Sequence, residues 1–216
     1  MKSLLFGIVL IIVLGIGGLV YRNAVEHPAQ PIACPMDAEI CPDGTSVSRV
    51  GLSCLFPVCP APNVSLSDIG IAFAIPAGFT AVSLPDASSV GAYEMLSTSP
   101  VGETTADLII RRYAINASTT ALETIKKTSI GAASGAPVSA TSFSSTILGV
   151  HRFTVVSIER FEGVVDTAYY LARTTDVLRF DAIDRGIINW TDPNLDILTL
   201  PAHAALVRTL TTLQGQ

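Results

Sequence analysis

Residues 150–184, VHRFTVVSIERFEGVVDTAYYLARTTDVLRFDAID, decide how the chain folds. Three segments rich in Val, Ile, Thr, Tyr and Phe, at 150–161, 164–174 and 177–184, are separated by turn signals at Phe161-Glu162-Gly163-Val164 and at Thr175-Asp176. β-Branched and aromatic residues suit a pleated, half-buried surface. Connections this short join antiparallel neighbours, because a parallel crossover needs a dozen or more residues. The stretch therefore predicts a three-stranded antiparallel meander.

Upstream, ADLIIRRYAI at 106–115 alternates cleanly. Leu108, Ile110, Arg112 and Ala114 fall on one side of a strand, and Ile109, Arg111, Tyr113 and Ile115 on the other. Residues 93–97 read as a strand, as does 69–75, which stops at Pro76-Ala77-Gly78 and resumes over 79–84. Asn116-Ala117-Ser118 opens a helix with Ser118 as its cap and Ala121, Leu122, Ile125 and Ile130 at near-helical spacing. Lys126 and Lys127 suit the negative pole of its dipole, and the segment from Gly131 to Gly135 ends it. SATSFSST at 139–146 reads as an edge strand because of Phe143 and its threonines. Downstream, Trp190 to Pro193 marks a loop and Leu195 to Leu198 a short strand or helical turn. Residues 201–213 form a helix with Pro201 in its first turn and Ala205, Leu206, Leu210 and Leu213 towards the sheet. The expected fold for residues 64–216 is thus α+β, an antiparallel sheet with helices packed on it.

This order resembles the PsbP-like fold. The likeness is carried by the G-x-x-F-x-x-P-x-G-F start at Gly70, Phe73, Pro76, Gly78 and Phe79, the middle helix, the meander and the last helix. Many members of that family have Trp where Phe79 stands. Its members are mostly binding or accessory proteins without a shared catalytic centre, so the resemblance implies a binding role.

The 216 residues carry a formal charge of −5, an apolar content of 49% and a charged content of 14%. The mean hydropathy of +0.52 is high for a soluble protein. Such a composition excludes a disordered chain. Lys2 and Arg22 lie within the first 22 residues, which leaves 11 basic against 18 acidic residues, a balance of −7, for the remainder. No basic run or stripe occurs, which argues against a nucleic-acid partner.

Much of the hydropathy comes from LLFGIVLIIVLGIGGLV, from Leu4 to Val20. A helix of that length would rise about 26 Å, close to the hydrocarbon thickness of a bilayer. Tyr21 and Arg22 suit an interface. A cleavage site after Ala24 would place Arg22 where a small residue belongs, so the stretch reads as an uncleaved N-terminal transmembrane anchor over residues 1–22. Export of the residues beyond this anchor would leave the N-terminus cytoplasmic and the body extracytoplasmic, although Lys2 and Arg22 nearly balance across the span. Residues 23–33, with two prolines, form a tether.

The segment 34–60 holds Cys34, Cys41, Cys54 and Cys59 at x6, x12 and x4 spacings, with a turn signal at Pro42-Asp43-Gly44 and a hairpin strand over 45–50. So short a segment needs staples. A zinc site would show paired C-x2–4-C knuckles, and only Cys54 and Cys59 fall within that spacing. The four cysteines therefore read as two disulfides, with three connectivities open. The segment resembles a short CPDGT-containing cysteine module found near membrane anchors in uncharacterised proteins of bacteria and other lineages. Cys41 to Thr45, Arg49, Gly51, Cys54, Phe56, Cys59 and Pro60 carry that likeness, which implies no activity.

Catalytic and cofactor signals are sparse. His27, His151 and His203 have no metal-ligand spacing, and no nucleophile elbow, phosphate loop or dinucleotide fingerprint occurs, so neither a metal nor a cofactor is expected. Glu159, Glu162, Asp166, Asp176, Asp181 and Asp184 interleave with Arg152, Arg160, Arg173, Arg179 and Arg185. They read as cross-strand ion pairs on a solvated face. Asn63, Asn116 and Asn189 begin N-x-S/T triplets that matter only in a glycosylating pathway.

Together these features lead to a membrane-tethered, extracytoplasmic accessory or binding protein without catalytic activity. Two alternatives make different demands. An envelope hydrolase would need a deep pocket holding at least two of Glu159, Asp166, Asp181 and Asp184. A protease-inhibitor-like module would present a convex loop between Cys41 and Cys59.

Overall fold

The computed structural model describes residues 15–18, 21–22, 34–41, 46–51, 53–59, 61–99, 102–131, 135–139 and 142–215. The chain divides into two compact units, Met1–Asp37 with Ser48–Phe56, and Ala38–Val47 with Pro57–Gln216.

In the first unit, Gly15 to Gly18, Tyr21 and Arg22 are helical, and the rest of the apolar run lies outside the described residues. The expected membrane helix is corrected: among the described residues no helix is long and apolar enough to cross a membrane. A span needs about 20 consecutive apolar residues. The single-pass placement, cytoplasmic N-terminus and extracytoplasmic body, rested on that helix and falls with it. Cys34 is bonded to Cys54. Arg49 forks onto Asp37, with Nε 2.7 Å from Oδ1 and Nη2 2.9 Å from Oδ2. Its guanidinium lies 4.2 Å from the centroid of the Phe56 ring. That stacking suits a planar cation better than an ammonium.

In the second unit Cys41 is bonded to Cys59. The two disulfides therefore alternate along the chain, first cysteine to third and second to fourth, and no described cysteine is free. Strand β1 (Ala38–Ile40) pairs with β2 (Ser46–Ser48). The expected turn at Pro42-Asp43-Gly44 lies outside the described residues.

The body of this unit is a seven-stranded antiparallel sheet. Its strands are β5 (Thr80–Ala81), β6 (Ser89–Ser99), β7 (Gly102–Ala114), β8 (Phe143–Leu148), β9 (His151–Phe161), β10 (Val164–Ala172) and β11 (Asp176–Arg185), in the order β5-β6-β7-β11-β10-β9-β8. A small ribbon of β3 (Val64–Leu66) and β4 (Ile71–Phe73) flanks a short 3₁₀ turn at Ser67–Ile69. Helix α1 covers Ala121–Thr128 and α2 covers Pro201–Thr211. The α+β expectation is corrected to a mostly β protein. Strands β6 and β7 run for 11 and 13 residues, beyond the reach of the alternation read from sequence, while the two α-helices have only 8 and 11.

Each strand pairs with a sequence neighbour except at one seam, where β7 meets β11 with Arg112 opposite Leu178 and Ala114 opposite Asp176. Alternation then sorts side chains between two faces. The first face packs Leu108, Ile110, Phe153, Tyr169, Leu178 and Phe180 against Ile71 and Phe73 and against Leu206 and Leu210 of α2. Full burial of such a side chain stabilises by about 1.5–3 kcal/mol. The second face packs Val156, Ala168, Tyr170 and Val177 against Ile125 of α1.

Both helices are held by identifiable caps. Thr120, not Ser118, caps α1: its side chain accepts from the Glu123 amide and the Glu123 carboxylate reaches back to the Thr120 amide. Asn116 instead takes the Ser118 amide at 2.9 Å and closes the preceding turn. At α2, Asp184 of β11 accepts from the Ala202 amide at 2.8 Å and lies 2.7 Å from Nδ1 of His203. A carboxylate there meets the positive end of the helix dipole.

Candidate functional site

On the first face, the apolar positions of four adjacent strands end in polar residues. Ile110 is followed by Arg112, Leu178 is preceded by Asp176, Leu171 is followed by Arg173, and Phe153 is preceded by His151. Period-2 alternation keeps these four polar side chains on the core-facing side. An open cleft of about 790 Å³ lies there, with all four among its lining. Ile69 and Leu171 give it an apolar floor, and Asp68, Thr174 and Thr175 complete its polar wall.

Asp176 is the hub. Its side chain is 1% exposed. Nε and Nη2 of Arg173 bind its two oxygens at 2.6 and 2.7 Å, a bidentate fork. Nε of Arg112 reaches Oδ2 at 2.6 Å. The remaining Arg173 nitrogen, Nη1, donates to the Ile69 carbonyl at 2.7 Å. The Arg173 hydrogen bonds outweigh burial, Arg112 adds to them, and together they hold the Asp176 carboxyl below the usual carboxylate range. Two guanidinium groups around one carboxylate leave one positive charge in excess.

Several polar groups of the cleft have no protein partner among the described residues. Arg112, 41% exposed, uses only Nε, so both its Nη atoms are open. His151 Nε2 lies 3.2 Å from the Leu213 carbonyl and donates to it. This contact places a proton on Nε2 and leaves Nδ1 without a hydrogen-bond partner among the described residues. Thr174 and Thr175 are exposed. Such a cleft can hold a polar ligand; it presents no nucleophile paired with a base.

The carboxylates singled out in sequence are dispersed over three places. Asp166 and Asp181 meet on the second face, where Asp181 is fully buried and binds both Arg111 and Arg179. Asp166 stands beside a β-bulge: it pairs with Glu159 while Thr167 pairs with Ser157. Its Oδ1 is buried without a partner, and burial, followed by the neighbouring Asp181 charge, pushes its carboxyl well above the usual range. Asp184 lies on the first face with His203, both buried. Asp176 belongs to the cleft. The solvated ion-pair face is therefore corrected: Asp166, Asp176, Asp181, Asp184 and Arg179 are buried. The cleft is lined by none of Glu159, Asp166, Asp181 and Asp184, and so is not the pocket an envelope hydrolase would need.

The other signals resolve simply. Glu162 occupies the β9–β10 turn at φ +48°, Arg160 donates to the Asp192 carbonyl at 3.2 Å, and Arg185 pairs with Asp107 at 3.0 Å. Arg152 is exposed, and His27 lies outside the described residues. Asn63 exchanges two hydrogen bonds with the Ile75 backbone, at 2.8 and 3.0 Å. Among the described residues no group of three His, Cys, Asp or Glu side chains is arranged to hold a metal ion. Sequence reasoning did not single out Arg112, Asp68 or His151 as site residues. A signal for Arg112 was present, because it continues the apolar side of its strand.

No family model matches the chain, and no curated protein sequence is significantly similar to it. A crystal structure from Bacteroides thetaiotaomicron VPI-5482 aligns with 11% identity and a TM-score of 0.42, covering 68% of this chain and 45% of that one. The chain thus spans less than half the length of that solved protein.

Proposed function

We propose that residues 64–216 act as a non-catalytic binding or accessory domain in an oxidising compartment. One observation carries this reading: the open cleft has a preorganised polar wall, in which Asp176 is held by two arginines while the Nη donors of Arg112 stay open. Charges held in place by such pairing suit recognition, because they reorganise little when a ligand arrives. The two disulfides support the compartment, since such bonds persist mainly where thiols are not kept reduced. The PsbP-like resemblance supports the same role, as its members are mostly binding or accessory proteins.

The test is a thermal-shift panel of small anions, neutral sugars and cations on the disulfide-intact protein, with each compound also followed for chemical change. The expected result is a rise in melting temperature with one class and no turnover. Multiple turnovers of any compound in the panel would overturn the reading.

A further inference from the structure

We propose that the cleft takes a small hydroxylated monocarboxylate of the sugar-acid type, with the carboxylate on the open Nη edge of Arg112. The inference deepens the binding reading and rests on it. Three observations on the cleft select this chemistry.

The first is charge. Arg112 and Arg173 face one carboxylate, Asp176, inside the cleft, and Asp68 adds a second acid to its wall. The Arg112–Arg173–Asp176 cluster carries one positive charge, and Asp68 offsets it, so the lining is neutral overall; it suits at most a single negative charge held locally at Arg112 and not a dianion such as phosphate monoester. The second is geometry. Arg112 is anchored through Nε at 2.6 Å, which leaves its Nη1 and Nη2 groups, a pair of parallel N–H donors, without a protein partner among the described residues. That pair matches the two oxygens of a carboxylate. The third is the set of hydroxyl-sized partners. Thr174 and Thr175 give and accept hydrogen bonds, and His151 Nδ1, left over by the Nε2 contact to the Leu213 carbonyl, pairs with a hydroxyl, which can serve as donor or acceptor. A ligand hydroxyl satisfies such groups, and an aliphatic acid does not. The apolar floor of Ile69 and Leu171 accepts the C–H face of a ring.

The experiment is an NMR titration of the ¹⁵N-labelled, disulfide-intact full chain with glucuronate, glucose and inorganic phosphate. Glucuronate is expected to give saturable shifts at the Arg112 side chain and the amides of Thr174 to Asp176, with glucose weaker by about tenfold or more. R112Q is expected to weaken glucuronate by a similar factor. The Asp176–Arg173 fork survives in that variant, and its spectrum reports whether the fold does. The double variant T174V/T175V leaves every ion pair intact and is expected to weaken glucuronate by about threefold or more. Equal affinity for glucose and glucuronate, tighter binding of phosphate than of glucuronate, or undiminished binding by folded R112Q overturns the proposal. If glucose or phosphate shifts the cleft resonances while glucuronate does not, the ligand class fails and the binding reading stands. Conversion of glucuronate to a new species in the tube instead removes the non-catalytic reading and keeps the site.

Discussion

Replacing Asp176 by Asn tests the construction of the cleft most directly. The substitution keeps the shape and one acceptor oxygen but removes the charge shared by Arg173 and Arg112. Removing one partner of a buried ion pair costs about 3–5 kcal/mol, because the other charge stays desolvated. Arg173 is 11% exposed and bears that cost nearly in full, whereas Arg112, 41% exposed, is relieved by water. The expected loss is therefore at the lower end, about 3 kcal/mol. For a chain of this size that is a fall in melting temperature of about 6–12 °C. The exposed neighbour Asp68, changed to Asn, is expected to stay within about 0.5 kcal/mol. Acid sharpens the test. The folded-state value of Asp176 lies below its unfolded value, so its contribution is fully present above about pH 4 and is lost as pH falls through the folded value. Wild type and D176N should converge in strong acid and separate near neutrality. Calorimetry with the disulfides intact reads both. Equal melting temperatures at pH 7, or a gap that persists in strong acid, would refute the claim that Asp176 ties the two arginines together.

Buried charge, the crossed cysteines and the α1 cap each carry a further expected outcome. Asp166 is raised in the fold, so the folded state keeps a proton that the unfolded chain releases above about pH 4, and stability declines as pH rises from there towards the folded value. D166N should therefore stabilise at pH 7 by about 1 kcal/mol in urea titrations, whereas D181N, which strands two arginines, should destabilise by about 3 kcal/mol. Peptide mapping without reduction should recover Cys34 linked to Cys54 and Cys41 linked to Cys59; pairs closing 34 to 41 and 54 to 59 would contradict the fold of this segment. Thr120→Ala should cost about 1 kcal/mol through loss of the capping box, while Ser118→Ala should cost far less, a contrast readable by denaturant midpoint.

The part of the fold legible in the sequence is the part governed by local periodicity. Strands β9, β10 and β11 fall where alternation and turns at 161–164 and 175–176 put them, because each pairs with its neighbour. The parity that sends Arg112 to the apolar side of β7 is also readable, and with it the first hint of the cleft. Ser118 reads as the cap because Asn116-Ala-Ser looks like a boundary, yet Thr120 with Glu123 three residues on is the stronger pattern. The β7–β11 pairing, which brings Arg112 to Asp176 across 64 residues, has no local signature. Nor has the burial of Asp166 and Asp181: charges on alternating strand positions read alike whether water or a helix covers them.

The seam between β7 and β11 also bears on how the sheet assembles. Three Arg–Asp pairs whose members lie 64 to 78 residues apart bridge it: Arg111 to Asp181, Arg112 to Asp176 and Arg185 to Asp107. Every other junction of the sheet closes between sequence neighbours. Hairpins form within microseconds, and long-range closure must wait for its loop entropy to be overcome. Two meanders, β5 to β7 and β8 to β11, are thus expected to form independently and to dock late. Interactions made after the rate-limiting barrier govern how fast a protein comes apart more than how fast it goes together. In a stopped-flow chevron, D176N should move the unfolding limb and leave the folding limb nearly in place, which would make the arginines of the cleft wall the latch that sets the lifetime of the folded sheet.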